Sequence, residues 1–354
     1  MRRLIVKLSS IGDVVHTLPA FRALRAAFPD DFIAWAVEEP AHPVLEGLPG
    51  LDRAILIPRR RWLSRWSTAR EAFGLFSRIR AMSFDQVIDF QGLARSALVS
   101  AFSGATERIG FRDGREGSPL FYHRRISIGD VDRHAVDRNL ALVRALGAST
   151  DGIHRGLAIP ERARESVRRL IDREGLDSGF VILHPSAGRA TNRYPPDRFA
   201  DLGDRVAGEL GVRVAVTGSA TDRSLTRELI ERMERDAVDL TGRLDLWELA
   251  ELSRTSLAFV AGDTGPLHLA IEAGSSVIGI YGGADPTRTG PYGGRSRLVR
   301  SRVPCGPCYR RTCPGLPCLQ SIDPDEVFEQ VRQTVGSGAN ASCKGSERGA
   351  RARW

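Results

Sequence analysis

The chain has 354 residues, 42% of them hydrophobic, and 51 Lys and Arg against 43 Asp and Glu give a formal charge of +8. That length exceeds one ordinary domain and fits two. No apolar run reaches the ~18 to 20 residues of a membrane-crossing helix, and the start MRRLIVKLSS is too short in apolar residues for a signal peptide, so the expected location is cytoplasmic. The basic excess fits an anionic partner (nucleic acid, anionic membrane or phosphorylated substrate) without choosing one. Four of the five Cys cluster at Cys305, Cys308, Cys313 and Cys318, and a cytosolic setting argues against a disulfide framework.

The chain opens on LIVKLSSIGD, a short apolar strand from Leu4 and a turn of small polar residues. Asp13 then begins VVHTLPAFRALRAAF, whose apolar residues recur at helical spacing. Such a strand–turn–helix puts backbone N–H groups and a carboxylate at a sheet's carboxyl edge, where open α/β sheets bind ligands. Strands follow at Phe32–Val37 and Ala54–Ile57. Residues 59–82 read as a basic amphipathic helix, with Trp62, Trp66, Phe73 and Phe76 either in the core or at an anionic membrane surface. Strands at Asp85–Phe90 and Ile109–Phe111 precede a charged loop to Tyr122 and a helix over His134–Leu146, closed by Gly147.

A charged helix over Glu161–Glu174 ends at Gly175, and the domain boundary is expected between 155 and 176. The pattern then restarts. Strands are expected at Phe180–His184, Val212–Thr217, Leu257–Ala261 and Val277–Tyr281, with helices at Arg198–Leu210, Leu225–Arg235, Leu246–Ser253, Leu267–Ala273 and Pro324–Val335. Alternating strands and helices imply parallel sheets with right-handed crossovers. The expected organisation is α/β: one Rossmann-like domain over 1–160, a second over 176–335 containing the Cys-rich segment 305–318, and a disordered basic tail over 336–354. Two such domains would turn their carboxyl edges toward a shared cleft.

Three loops carry chemistry. GDTGPLHLA at 262–270 places Asp263, Thr264 and Gly265 at a helix start, with His268 in the first turn. It reads either as a diphosphate site or as an ordinary Asp/Thr cap. Asp222, beyond the strand ending at Thr217, is placed to accept from ribose hydroxyls. The loop 185–195 offers Arg189 and Arg193 to phosphate oxygens. There is no GxGxxG after the first strand and no GxxxxGK[ST], which weakens dehydrogenase and P-loop readings. Asp130-Val131-Asp132 precedes a helix and does not follow a strand as a metal-binding acidic pair would. The Cys spacing C-x2-C-x4-C-x4-C fits either a small structural zinc loop or reduced packing and redox cysteines.

SSIGDVVHTLPAFRALR, DFQGL at 89–93, Tyr194-Pro195, GDTGPLHLA and CGPCYRRTCPGLPCLQSI together resemble glycosyltransferase family 9, which contains the lipopolysaccharide core heptosyltransferases. The N-terminal half is most similar to heptosyltransferase I and the Cys-rich end to the heptosyltransferase II branch. The resemblance implies a GT-B fold, an ADP-heptose donor in the C-terminal domain and a lipid A–Kdo acceptor against the N-terminal domain. It also implies inverting transfer without a metal or other cofactor. Carried over, Asp13 is the general base. Asp222, Asp263, Thr264, Gly265 and His268 hold the donor, with Arg189, Asn192 and Arg193 as further donor-side candidates, and Ser10, Gln91, Arg95 and Arg115 are candidates on the acceptor side. Asn192 stands where the family often has a Lys, so Arg193 or Arg189 supplies the charge. The implied protein is a monomer resting peripherally on the inner face of the inner membrane, with no nucleic-acid partner. The alternatives are another GT-B transferase or an epimerase using a different nucleotide sugar.

Overall fold

The computed structural model describes residues 1–58, 67–129, 134–152, 156–293 and 295–345. Contacts divide the chain into two units, Met1–Ala158 and Ile159–Trp354.

In the first unit the chain runs β1 (Arg2–Val6), α1 (Ile11–Val15), α2 (Leu18–Ala27), β2 (Phe32–Glu38), β3 (Arg53–Ile57), α3 (Ser67–Ala81), β4 (Gln86–Asp89), α4 (Ala94–Phe102), β5 (Glu107–Phe111), β6 (Arg124–Ile126) and α5 (Ala135–Arg144). All neighbouring strands are parallel, in the order β3-β2-β1-β4-β5-β6. The order reverses between β1 and β4, so the loops after those two strands flank the switch point where such sheets bind ligands. Strand alternation sorts the core. Leu4, Val6, Ala34, Ala36 and Val87 pack on one face with Ile79 of α3 and Val99 of α4. Ile5 and Trp35 are buried on the other, where Trp35 lies 5.8 Å from Phe21 of α2. A parallel sheet covered on both faces needs apolar residues at every strand position, which is why these strands read as continuous apolar runs.

The second unit runs α6 (Glu161–Glu174), β7 (Phe180–His184), α7 (Pro196–Glu209), β8 (Arg213–Val216), α8 (Arg223–Arg232), β9 (Ala237–Asp239), α9 (Leu246–Thr255), β10 (Ala258–Gly262), α10 (Gly265–Glu272), β11 (Val277–Tyr281), α11 (Pro286–Thr289), β12 (Ser296–Arg300), α12 (Pro317–Gln320) and α13 (Pro324–Gly345). Its parallel sheet has the order β12-β11-β10-β7-β8-β9, with the switch point between β7 and β10. Val181, Leu183, Val214, Val216 and Val260 pack with α7 and α13 on one face. Phe180, Ile182, Ala215 and Phe259 pack with α6, α9 and α10 on the other. Each fully buried Val, Leu, Ile or Phe side chain among these contributes roughly 1.5–3 kcal/mol by area. α6 belongs to this unit because it packs on α9, where Ser166 Oγ donates to Glu248 Oε1 at 2.6 Å.

The structure corrects several expectations. Phe73 is 77% exposed and so is not a core residue; Leu75 and Ile79 fill that role on α3. Helical spacing marks a stripe without fixing which stripe is buried. The tryptophans at 62 and 66 lie outside the described residues, as does the 130–132 segment. The edge strands β6, β9 and β12 escape the apolar-run signal because they are short or half exposed. The last helix continues to Gly345 instead of ending at Val335, which removes 336–345 from the expected irregular tail; 346–354 lie outside the described residues. Among the described residues no helix is long and apolar enough to cross a membrane.

Candidate functional site

In the first unit, the switch-point loops are built on each other. The turn after β1 delivers Ser10 to the start of α1, one turn before Asp13. The Ser10 backbone N–H and hydroxyl both donate to Asp13 Oδ2, at 2.8 and 3.0 Å. Asp13 therefore does act within its own helix start, as a short acceptor for the residue before α1, and this holds its carboxylate in one orientation. Gln91, in the loop after β4, accepts from the Leu8 and Ser9 N–H groups through Oε1, at 3.2 and 3.3 Å. Arg95 donates to Glu38 Oε1 at 2.8 Å and to Ser9 Oγ at 2.6 Å. The structure thus brings Ser10, Asp13, Gln91 and Arg95 to one edge. Arg115 joins them through its backbone, whose N–H donates to Gly92 O at 2.9 Å, and its side chain is exposed.

Three groups beneath this edge escaped the sequence reading. Asp89, fully buried, accepts from the Gln91 and Gly92 N–H groups at 2.8 and 3.1 Å and from the Tyr122 hydroxyl at 2.7 Å. Burial pushes its carboxyl up, against the pull of those donors. Tyr122 reaches it only because position 110 is Gly: a Cβ there would sit 2.4 Å from the Tyr122 ring. Lys7 is buried and donates from Nζ to Phe90 O at 3.0 Å. Desolvation draws its ammonium down, opposed by the Asp13 and Asp89 carboxylates. Glu38 at the end of β2 is the third. A charge inside an apolar run, as in LIVKL, and an acid at a strand's carboxyl end are the signals that mark Lys7 and Asp89.

In the second unit, Asp263 is the hub. His268 Nε2 lies 3.3 Å from its Oδ1, and Asn192 Nδ2 donates to its backbone O at 3.1 Å and its Oδ2 at 3.3 Å. The Tyr281 hydroxyl donates to Thr289 O at 2.7 Å and lies 3.4 Å from Asp263 Oδ1. Asp263 is thereby drawn sideways. Thr264, the residue before α10, makes no side-chain hydrogen bond to the helix start. A Thr264 side-chain cap is therefore not formed, which leaves the helix start without a capping side chain. A Cβ at position 262 would stand 2.0 Å from Asn192 O, so Gly262 is what allows the two loops to touch.

Asp222 accepts from the Ser219 N–H at 2.9 Å. Burial opposes its ionisation, but the Ser219 hydroxyl and N–H outweigh it and hold the carboxyl below its usual value. His184, at the end of β7, is buried with Nδ1 2.9 Å from Thr217 Oγ1; desolvation takes its pKa down to about 4, with Asp222 pulling the other way. Arg193 donates from Nε to Ala187 O at 2.9 Å, and Arg189 from Nη1 to Tyr309 O at 3.3 Å. Asn192 is 9% exposed and its side chain faces Asp263. Among the described residues no three His, Cys, Asp or Glu converge as a metal-binding group. Cys318 is buried in the apolar core and burial pushes its thiol up, whereas Cys305 is exposed.

Two Rossmann-like units, each with a polar constellation at its switch point, define the α/β GT-B class. The match to the model of glycosyltransferase family 9 (heptosyltransferase) spans residues 72–318, so the chain belongs to that family and is a glycosyltransferase. It is 33% identical to lipopolysaccharide heptosyltransferase 1 of Pseudomonas aeruginosa, over 94% of this chain and 97% of that one. It is 32% identical to lipopolysaccharide heptosyltransferase 1 of Salmonella typhimurium, over 94% and 100%. The structure of E. coli heptosyltransferase WaaC with ADP superposes with a TM-score of 0.75 at 26% identity, covering 94% of this chain and 100% of that one.

Proposed function

We propose that the protein transfers heptose from ADP-heptose to the lipid A–Kdo inner core of lipopolysaccharide, with inversion, without a metal, and with Asp13 as general base. In this reading the second unit holds the donor. Arg189, Arg193 and the open start of α10 (Thr264, Gly265) face phosphate oxygens, Asp222 the ribose, and Asn192, Asp263 and His268 the reacting end. The first unit holds the acceptor near Ser10, Gln91, Arg95 and Arg115. Asp13 takes the proton from the acceptor hydroxyl as its oxygen attacks the anomeric carbon and ADP leaves. The protein works as a monomer on the cytoplasmic face of the inner membrane, where a lipid acceptor is presented.

The observation that carries this reading is the loop after β10. Its acid is engaged sideways by Asn192 and His268, which leaves a helix start open to a diphosphate. The family and the ADP-bound relative support the nucleotide-sugar donor. The test is turnover of ADP-heptose by Asp13→Asn with a lipid A–Kdo acceptor. The expected result is a fall in kcat of roughly 10²–10⁴-fold, with ADP affinity retained. Wild-type turnover by the variant removes Asp13 from the base role, and stabilisation of the wild type by a UDP-sugar but not an ADP-sugar overturns the donor.

A further inference from the structure

Position 192 carries no charge, and Arg193 has its Nε engaged by Ala187 O. The donor site of the proposed reaction nevertheless needs cations, and the structure places a further one beside an unassigned part of the chain. The Cys-rich segment folds onto the donor loops. The N–H groups of Cys308 and Tyr309 both donate to Gly283 O just after β11, at 3.0 and 3.1 Å. Thr191 Oγ1 donates to Arg310 O at 2.6 Å, and Arg189 donates to Tyr309 O at 3.3 Å. The Tyr309 ring is covered from α11 by Arg288, whose guanidinium carbon lies 5.5 Å from the ring centre. α11 is in turn tied to the hub, because Tyr281 spans Thr289 O and Asp263 Oδ1.

Tyr309 thus stands between two arginines from different loops. Arg189 belongs to the loop after β7 and Arg288 to the helix after β11, and both are exposed. Asp285, whose charge also acts on Tyr309, and Asp263 both have donors of their own. Asp285 accepts from the Thr287 N–H and hydroxyl, at 3.0 and 2.8 Å, and Asp263 from Asn192 and His268. Two guanidinium groups about one aromatic spacer make a site for a strongly charged anion.

We propose that Tyr309 of the Cys-rich segment, with Arg189 and Arg288, forms the cationic cradle for the terminal phosphate of a nucleoside diphosphate. The segment 305–318 is then a structural part of the donor site. This rests on the functional reading above, and it adds Arg288 and Tyr309 as donor-binding residues.

The test is calorimetric titration of the full chain with ADP and with AMP, which lacks the outer phosphate. Arg288→Gln should weaken ADP by roughly tenfold, the worth of one charge-assisted hydrogen bond, and AMP by less than about threefold. Arg288→Lys should recover most of the loss. Tyr309→Asn keeps a residue tolerant of the positive φ of +54° found there but removes the ring, and should fall between them. Unchanged melting temperatures separate these losses from misfolding. If the wild type binds ADP and Arg288→Gln binds it equally well, or loses ADP and AMP alike, the cradle is wrong and the functional reading stands. If the wild type binds no ADP, both fall.

Discussion

The two switch points solve opposite problems. In the first unit every candidate side chain but Arg115 is engaged by its neighbours: Asp13 by Ser10, Gln91 by the turn backbone, Arg95 by Glu38 and Ser9. In the second, Asp263 is pulled aside, the start of α10 lacks a side-chain cap, and arginines from two loops stay exposed. The first arrangement presents one carboxylate in one orientation. The second leaves donors and cations unspent for an anion. One fold, used twice, gives a rigid edge and a receptive one because local hydrogen bonding differs, not because the sheets do.

That contrast can be broken from either side. The largest effect is expected at Gly262. Alanine there would drive a Cβ into Asn192 O, which is backbone and cannot yield cheaply, so Gly262→Ala should lower stability by about 2–3 kcal/mol and weaken ADP binding. Urea unfolding read beside ADP titration checks both. In the rigid edge, Arg95→Met takes the guanidinium from Glu38, whose side chain is 4% exposed, while that of Arg95 is 34% exposed. Solvent at Arg95 reduces the cost of breaking such a pair to roughly 1–3 kcal/mol. An unchanged urea midpoint in this variant would mean that the first edge is not held by its own hydrogen bonds.

The smallest effect belongs to His184. Its folded pKa of about 4 lies below the unfolded value of 6.5, so the unfolded state binds the extra proton. The stability it contributes is present above pH 6.5 and is lost as pH falls toward 4. Between pH 7 and 5 this amounts to about 1–2 kcal/mol, and His184→Gln should flatten that part of the stability profile. A wild-type profile already flat over this range would show that burial does not keep His184 neutral.

Much of this was legible beforehand. Phe180–His184 and Val277–Tyr281 were readable to the residue because strands buried on both faces must be apolar throughout. The helix over Glu161–Glu174 was readable because Gly175 takes the left-handed conformation, φ +65°, that ends it. The edge strand β12 was not, because Ser296 and Arg297 are only half-buried, Leu298 is exposed and its alternation is weak. Asp13 and Asp263 could be picked out because each follows an apolar strand and opens a helix. Ser10, Asn192 and His268 could be named as candidates too, but not as the groups that bond to these acids.

The sequence by itself determined the two parallel sheets, the strands that lie at their centres, and the loops that carry chemistry. Apolar periodicity and turn residues are local, and each acts within a few positions of the chain. Only the tertiary structure decided that Arg95 meets Glu38, that Asn192 faces Asp263, and that Tyr309 reaches Arg189 across 120 positions. Such pairings are set by which loops the sheet order brings side by side, and strand order is a property of the whole chain's packing that no short stretch encodes.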